Sequence, residues 1–512
     1  MKITQRLIYI TSFNMGLTIM ASEMGTGRLL APYYGTSTMI WSLLIGIVMM
    51  SLAVGNLIGG WLSKQPHSLL WFWRGLFLSA FFLFLLPLSS TFLLSGTLAL
   101  FYKGAFLKLF IKAFLFLFLL SFPMIILGTS NPILIHHLVE TMDETGTKAG
   151  KLYAINTIGS LLGTFASGLF LVPLLGIRES FWIFSLLLAM NAVVGLSIKK
   201  LTKIILSISF VIGLFFSFLL PQWSIHPNQK RFTLYEANSR YNHIWITERH
   251  KIRRLFLNEG YATQSLYYLN GKLPLFDVWG YYGLSPAWTK NGHPKDILLI
   301  GLGGGSSARI LRAFYPKANI TGVERDPLII KIGQKFLGMP HDINAINDGG
   351  RTFLSRTNQH YDVIIVDAFQ FPYIPFQLAT QEFFKSLKQH LKKTGVLVMN
   401  VGRDRHHYAV VDAIFHTLKS VFPHLQGVDV LNNSNTILVA TRHPPQSYIG
   451  LKKLHIPQKW KYQLDRLLSP HYWRLYTKPI LLTDNYSPVE WLTDRIIFQR
   501  LFQLFLPHRS KK

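Results

Sequence analysis

The residues best suited to chemistry form a run of glycines in the second half of the chain. Glycines stand at 301, 303, 304 and 305, between an apolar stretch that begins at Asp296 and a helix start at Ser306. Such glycines permit a tight turn and a close approach of the backbone to a ligand at the N-terminus of the helix. The spacing predicts a nucleoside-binding strand, turn and helix, with Gly301, Gly303 and Gly305 as contacts.

Three carboxylates end or follow later apolar stretches. Glu324 lies roughly 20 residues after the glycines, where an acidic residue hydrogen-bonds ribose hydroxyls. Asp348 and Gly349 form an acidic turn that suits the edge of an adenine ring. Asp367 ends a buried stretch, and open α/β sheets place their chemistry at the carboxyl ends of strands. Each acid alone could be a helix cap or a solvated turn residue, but together they predict a nucleoside site with a catalytic carboxylate.

The same stretches define the elements that must position these residues. Apolar strands alternate with helical stretches from Asp296 onward. This order predicts an α/β Rossmann-type domain, like that of class I methyltransferases, over 291–512. Residues 225–290 contain shorter alternating stretches and are predicted to form a small β-rich lead-in at the N-terminal side of that domain.

The first 224 residues have a different character. They contain 14 Lys+Arg and 5 Asp+Glu, whereas the rest of the chain contains 38 and 19. A membrane-spanning helix needs about 20 mostly apolar residues. Candidate spans are 7–30, 38–62, 69–97, 106–138, 151–175, 178–197 and 202–220. Residues 1–224 are therefore predicted to form a multi-span α-helical membrane domain of about seven spans, or eight if Pro87 divides the third.

Small and charged residues inside these spans carry further information. Glycines at 55 and 59, and at 159 and 163, recur at four-residue spacing, which favours close helix packing in lipid. Glu23 lies inside the first predicted span, five residues before Arg28. A carboxylate in hydrocarbon is costly, so a pair with Arg28 or another polar neighbour is favoured over a proton or substrate site.

The net charge and the cysteine content limit which partners and cofactors the chain is predicted to have. The formal net charge is +28, but the basic residues are scattered without a nucleic-acid-binding motif, so no nucleic-acid partner is predicted. Attraction of basic residues to anionic lipid explains the charge better. The chain has no cysteine, which excludes disulfides, thiolate nucleophiles and cysteine-based metal sites. No metal is predicted; the lipid bilayer is a predicted partner, and a homo-oligomer stays open.

With these motifs in place, the chain resembles the spermidine synthase family of aminopropyltransferases, and more closely the bacterial proteins that fuse such a domain to a multi-helix membrane segment. The stretch from Gly150 to Thr164 resembles the membrane half of that group. Leu257-Asn-Glu-Gly-Tyr-Ala-Thr-Gln resembles the strand that closes over the nucleoside. Asp367-Ala-Phe-Gln-Phe-Pro resembles the catalytic loop, and Leu482-Thr-Asp-Asn-Tyr-Ser-Pro-Val-Glu resembles a C-terminal motif of the fused group.

The resemblance implies a membrane-bound enzyme of polyamine biosynthesis. It would transfer an aminopropyl group from decarboxylated S-adenosylmethionine to an amine acceptor. By this resemblance, Glu324 would hold the ribose, Asp348 with Gly349 the adenine, and Gln264 the sulfonium end. Asp367 would be the base that takes a proton from the amine. Tyr281 and Gln370 would contact the acceptor.

Three positions depart from the family's pattern. Gly304 replaces an acid of the glycine loop, Gln370 replaces the acid three residues after Asp367, and Tyr282 replaces a histidine. Those groups hold a diamine in the family, so putrescine is doubtful as the acceptor. Methyl transfer from S-adenosylmethionine, nucleoside binding without turnover and transport through the helices stay open as alternatives.

The side of the membrane is predicted from two opposing arguments. With seven spans and the N-terminus inside, the cytoplasmic loops carry nine basic residues and the opposite face five, which favours that orientation and would export the second half. S-adenosyl nucleosides, however, are made in the cytosol and are charged. The prediction is a multi-pass protein of the cell inner membrane whose catalytic domain lies in the cytoplasm.

Overall fold

The computed structural model describes residues 2–34, 38–94, 97, 106–196, 232–239, 241–258, 262–275, 277–285, 289, 292–368, 373–403, 407–430, 433–443 and 480–495. The chain divides into two compact units, Met1–Lys230 and Arg231–Lys512. The first unit is helical and the second is α/β.

The described residues of the first unit are mainly helical. The helices are α1 Lys2–Tyr34, α2 Thr38–Leu62, α3 Ser68–Leu94, α4 Phe106–Gly128, α5 Ser130–Leu138, α6 Thr145–Phe165, α7 Val172–Leu175 and α8 Ile177–Gly195. A 3-10 turn, Met142–Glu144, precedes α6, and a π-helical segment, Ala166–Leu171, joins α6 to α7. Within the described residues, 5 helical stretches are long and apolar enough to cross a bilayer: Thr38–Leu62, Ser68–Ser90, Phe110–Leu138, Met142–Leu171 and Ile177–Gly195.

These stretches coincide with the second to sixth predicted spans. The first predicted span lies in α1, which is helical throughout but is not among the five apolar stretches. The stretch 202–220 lies outside the described residues. Pro87 lies inside the continuous helix α3, so the structure does not divide the third span there. The total number of spans stays a prediction.

Close packing at the recurring glycines is confirmed. A Cβ atom at Gly159 or Gly163 would lie 2.1 Å from a backbone oxygen of α1. A Cβ at Gly55 would lie 2.1 Å from the backbone oxygen of Ile125. Only glycine permits helix backbones to approach this closely.

Of the partners expected for Glu23, Arg28 is not paired with it in the described residues, and a pair with another polar neighbour stays a prediction. Glu23 is buried, with 7% of its surface exposed, but none of the ion pairs in this part of the chain joins it to Arg28. A separation of five residues turns two helical side chains about 140° apart, so they lie on different sides of α1.

The second unit contains two sheets. A four-stranded antiparallel sheet is formed in chain order by β1 Thr233–Asn238, β2 His243–Arg249, β3 Ile252–Leu257 and β4 Thr263–Tyr268. A seven-stranded sheet has the order β10-β11-β9-β8-β5-β6-β7. Its strands are β5 Asp296–Ile300, β6 Asn319–Glu324, β7 Asn344–Asn347, β8 Tyr361–Val366, β9 Leu391–Gly402, β10 His424–Asp429 and β11 Asn435–Thr441.

Helices cover the larger sheet. They are α9 Val278–Leu284, α10 Ser306–Phe314, α11 Pro327–Phe336, α12 Gly350–Arg356, α13 Gln381–His390 and α14 Ala409–Lys419, with a 3-10 turn at Phe376–Leu378. Strands β5 to β9 run parallel, and β11 and β10 are antiparallel to their neighbours. The predicted Rossmann-type fold is thus confirmed.

The core of this unit lies on both faces of the larger sheet. Along β5, Ile297 and Leu299 belong to one buried cluster, while Leu298 and Ile300 belong to the other. Side chains of a strand alternate between faces, and a strand covered on both faces must be apolar throughout. The strand order reverses between β5 and β8, so a crevice is expected outside their carboxyl ends.

Candidate functional site

The glycine loop joins β5 to α10 at this edge of the sheet. Gly301, Gly303 and Gly305 have φ of +92°, +53° and +91°, in the left-handed region that favours glycine. A Cβ at Gly301 would lie 2.3 Å from the backbone oxygen of Asp367. Glycine is therefore required both for the turn and for its close approach to the end of β8.

Strand β4 packs onto this loop. The Gly304 N–H donates to the Ser265 hydroxyl at 2.8 Å, and the Leu266 N–H donates to the Ser306 hydroxyl at 2.8 Å. The backbone oxygen of Gln264 lies 3.5 Å from the position of a Cβ at Gly303. The structure thus places Gln264 beside the glycine loop, while its contact with the sulfonium end stays a prediction.

Glu324 reaches the glycine loop from the end of β6. Its carboxylate accepts hydrogen bonds from the Gly303 N–H at 3.0 Å and the Asp326 N–H at 3.1 Å. Burial raises the pKa of Glu324, and these backbone hydrogen bonds oppose that rise. The carboxylate and the turn thereby hold each other in place, next to the N-terminus of α10.

Asp348 and Gly349 follow β7, the next strand of the sheet. The Gly349 N–H donates to the Asp348 carboxylate at 2.7 Å, and Arg356 pairs with the same carboxylate at 3.3 Å. Helix α12 begins at Gly350, where a Cβ would lie 2.3 Å from a side-chain carbon of Ile300. The acidic turn therefore lies against the end of β5, at the same edge as Glu324.

Asp367 follows β8 and is held by hydrogen bonds to the ends of β5 and β9. Its N–H donates to the Ile300 oxygen at 2.8 Å. Its carboxylate accepts from the Asn400 amide at 2.9 Å, and the Asn400 oxygen accepts from the Asn435 amide at 2.9 Å. Burial raises the pKa of Asp367 to about 6, against the lowering effect of Asn400 and Tyr282.

Tyr282 is a site residue that the sequence analysis noted but did not select. It is fully buried in α9. Its hydroxyl is close enough to Asp367 and Asn400 to interact with both side chains. In the described structure, this hydroxyl does not form a hydrogen bond of normal geometry. Burial and the Asp367 charge raise the pKa of Tyr282. Asn400 was also missed, although an amide at the end of Val396-Leu-Val-Met is a signal that could have found it.

Of the two predicted acceptor contacts, the structure describes one, Tyr281. Tyr281 is fully buried in the core cluster that also contains Tyr282, and its role stays a prediction. Gln370 lies outside the described residues.

Gly304, where the resemblance led us to expect an acid, is tightly packed. A Cβ there would lie 2.3 Å from Cδ1 of Leu337 and 2.9 Å from Cβ of Ser265. A larger side chain would require both neighbours to move. The departure noted in the sequence is therefore built into the packing of this chain.

No group of three or more His, Cys, Asp or Glu side chains in the described parts of the chain could hold a metal ion.

Comparison with known proteins agrees with this geometry. Residues 285–430, from the end of α9 to just past β10, match the family described as "Spermine/spermidine synthase domain". Residues 285–430 are thus similar to that family. The matched range includes the glycine loop, Glu324, Asp348 and Asp367, so the resemblance read from these residues is confirmed.

The relatives differ in how much of the chain they cover. A "Probable polyamine aminopropyl transferase" of Bifidobacterium longum is 33% identical over 214 residues, which are 41% of this chain and 47% of that protein. The "Polyamine aminopropyltransferase 2" of Aquifex aeolicus is 25% identical over 430 residues, 80% of this chain and 81% of that protein. A mouse "eEF1A lysine and N-terminal methyltransferase" is 29% identical over 178 residues, 32% of this chain and 25% of that protein. The chain spans less than half the length of the Bifidobacterium protein.

Solved structures were also compared. A spermidine synthase in complex with the transition-state analogue AdoDATO has a TM-score of 0.35 and 17% identity, covering 45% of this chain and 88% of that chain. A human methyltransferase-like protein 13 in complex with SAH has a TM-score of 0.30 and 23% identity, covering 39% and 93%.

Proposed function

We propose that this protein transfers an aminopropyl group from decarboxylated S-adenosylmethionine to an amine acceptor. The observation that carries the proposal is the position of Asp367. Its carboxylate lies at the end of β8, and its backbone packs against Gly301 of the glycine loop. A base therefore stands beside the loop that would hold the sulfonium nucleoside.

The reaction requires a free amine. The acceptor nitrogen attacks the carbon next to the sulfonium, a C–N bond forms, the C–S bond breaks with its electrons going to sulfur, and methylthioadenosine leaves. An ammonium has no lone pair, and the pKa of an alkylamine is about 10. Asp367 would take the proton from that nitrogen and pass it to solvent.

The environment of Asp367 suits this role. A carboxylate with a pKa of about 6 is a stronger base than one with the ordinary value of about 4, yet it is mostly ionised at neutral pH. The hydrogen bond from Asn400 leaves the second carboxylate oxygen available to the acceptor. Nucleoside contacts are assigned in the same proposal to Gln264, Glu324, Asp348 and the glycine loop.

The direct test measures products and binding separately. The full chain in detergent is supplied with decarboxylated S-adenosylmethionine and amines, and products are identified by mass spectrometry. In the Asp367→Asn variant, turnover should fall by roughly 10²–10⁴-fold, while methylthioadenosine still binds. Wild-type turnover in the Asn variant would exclude Asp367 as the base.

Methyl transfer is the second candidate, and Gly304 favours it. By the resemblance, an acid at position 304 would help to hold the diamine acceptor, and the packing of Leu337 and Ser265 against Gly304 disfavours an acid here. One relative is also named as a methyltransferase. Supplying S-adenosylmethionine in the same assay separates the candidates, because the added mass is a methyl group in one case and an aminopropyl group in the other.

The acceptor is proposed to be an amine other than putrescine, or putrescine used poorly. A diamine is a dication, and a buried site stabilises a dication only when each charge has a partner. By the resemblance, the diamine site contains three acids. Gly304 and Gln370 replace two of them, so Asp367 is the one that is left. Robust spermidine formation from putrescine by the unmodified protein would contradict this.

We further propose that the first unit lies in the cell inner membrane and that the second unit faces the cytoplasm, where S-adenosyl nucleosides are made. Five apolar helices in the described part of the first unit support the membrane assignment. Fusions of the C-terminus to alkaline phosphatase and to a fluorescent protein test the side. Phosphatase activity without fluorescence would place the second unit outside the cytoplasm.

A further inference from the structure

The C-terminal motif that begins at Leu482 has no role in the function proposed so far, yet it makes specific contacts in the second unit. The Gln381 N–H donates to the Leu482 oxygen at 2.8 Å. The Leu482 N–H in turn donates to the Thr417 hydroxyl at 2.9 Å. Leu482, Val489 and Leu492 are buried in the same cluster as Val366 of β8. The segment 480–495 is therefore part of the core beside the strand that ends at Asp367.

Asp484 of this segment contacts residues at the starts of two helices, α12 and α13. Its carboxylate forms a bidentate pair with Arg351, with one oxygen 2.7 Å from the guanidinium. The Thr380 hydroxyl donates to the same carboxylate at 2.7 Å, and Thr380 also caps α13 through the Phe383 N–H. Arg351 lies in the first turn of α12, two residues after Gly349 of the acidic turn. Asp484 thus connects the start of α12 to the start of α13.

Asp494 makes a second, independent contact. It is 6% exposed, and its carboxylate accepts a hydrogen bond from the Tyr373 hydroxyl at 2.6 Å. Tyr373 lies six residues after Asp367, and Thr380 lies seven residues after Tyr373. The two C-terminal aspartates therefore hold the segment 373–380 at both of its ends.

We propose that segment 480–495 positions residues 373–380, the next described residues after Asp367 and Ala368, with Asp494 and Asp484 as positioning residues. The expected effect on transfer rests on the proposed function. The expected anchoring of residues 373–380 does not. A misplacement of about 1 Å in a reacting group can lower a rate by about 10²-fold. Loss of either contact should therefore impair transfer more than nucleoside binding.

The test uses the full chain in detergent and two matched pairs of variants. Tyr373→Phe removes the hydroxyl that reaches Asp494. Its control, Tyr361→Phe, removes a hydroxyl that reaches Gln359 at 3.0 Å at the amino end of β8. Asp484→Asn removes the negative charge and one of the two oxygens that pair with Arg351. Its control, Asp342→Asn, removes the partner of Arg312 at 3.0 Å, before β7.

Backbone hydrogen exchange is the readout that does not depend on activity. Amides of 376–384 should exchange faster in Tyr373→Phe and Asp484→Asn than in the wild type and both controls, because their anchors are lost. Unchanged exchange in these amides would overturn the proposal, whatever the enzyme does. Asp494→Asn retains an oxygen that accepts from Tyr373, so it should exchange like the wild type, whereas Asp494→Leu should not.

Kinetics then decide whether the contacts matter for the site. Tyr373→Phe should lower kcat about 10-fold and leave methylthioadenosine affinity within about twofold, with both controls near wild type. Faster exchange with wild-type kcat would show that the segment only stabilises the fold, and would overturn the positioning role. If the wild type transfers nothing, the proposed function fails, and the exchange result still decides whether the segment anchors 373–380.

Discussion

The amide nitrogen of Asn400 lies 2.9 Å from a carboxylate oxygen of Asp367. Asn400 is itself oriented by Asn435, whose amide donates to the Asn400 oxygen at 2.9 Å. Because a hydrogen bond to the ionised form lowers the pKa of a carboxyl, Asn400 limits the rise that burial causes in Asp367. The pair thus sets the pH at which the proposed base becomes available.

The first prediction concerns this pH dependence. Only the ionised Asp367 can accept a proton, so kcat/KM should rise with pH and reach half its plateau near the pKa of about 6. Asn400→Leu removes the hydrogen bond and should move this acid limb to higher pH. A profile of kcat/KM against pH measures the shift. An acid limb that stays in place in the variant would show that Asn400 does not tune the base.

Tyr282 allows a prediction that separates rate from stability. Its hydroxyl is buried near Asp367 without a hydrogen bond of normal geometry in the described structure, so Tyr282→Phe should lower the thermal midpoint less than removal of a hydroxyl that forms a full hydrogen bond. It should still move the acid limb upward, because the hydroxyl lowers the pKa of Asp367.

A matched variant makes that comparison decisive. The Tyr315 hydroxyl donates to the Gly283 oxygen at 2.9 Å, also in the core. Tyr315→Phe should therefore cost about 1 kcal/mol of stability and leave the acid limb unchanged. The assignment of Tyr282 to the site is wrong if the two variants behave alike.

Glu324 is expected to govern nucleoside affinity. Glu324→Ala removes the carboxylate that would hold the ribose and also leaves the N–H groups of Gly303 and Asp326 without their acceptor. Methylthioadenosine affinity should fall about 10-fold or more, as measured by titration calorimetry. Asp342→Asn, a change at the amino edge of the sheet, serves as the control, and equal affinity in both variants would exclude the ribose assignment.

The structure shows why some of the site was predictable from sequence and some was not. Gly301 and Glu324 are fixed by local patterns, since a strand, a turn and an acid at the end of the next strand can be read along the chain. The bond between Asn400 and Asp367, in contrast, joins β9 to the end of β8, and Asn435 reaches it from β11. Such contacts depend on the strand order and not on spacing.

In the membrane half, too, some features were predictable from sequence and others were not. The spans from α2 to α8 followed from the lengths of their apolar stretches, which need no tertiary information. Glu23 does not pair with Arg28, one of the partners considered from sequence, because positions three or four apart are the ones that meet on a helix.

The last prediction concerns the conversion of the acceptor site. From sequence alone, Gly304→Asp together with Gln370→Asp should restore the two missing acids and raise the turnover of putrescine. The packing at Gly304 changes this expectation, because a Cβ there would lie 2.3 Å from Cδ1 of Leu337 and 2.9 Å from Cβ of Ser265. Gly304→Asp should therefore destabilise the protein by about 1–3 kcal/mol, while Gln370→Asp alone should raise spermidine formation.

Relief of the steric conflict gives the decisive comparison. Leu337→Ala removes the side-chain atom that lies closest to the new Cβ, so Gly304→Asp should lower the thermal midpoint less in the Leu337→Ala background than in the wild type. The thermal midpoint of the single and double variants measures this difference, and putrescine turnover is measured in the same set with Gln370→Asp added. If Gly304→Asp alone keeps the wild-type midpoint, the loop yields to the larger side chain, and packing is not what keeps an acid out of position 304.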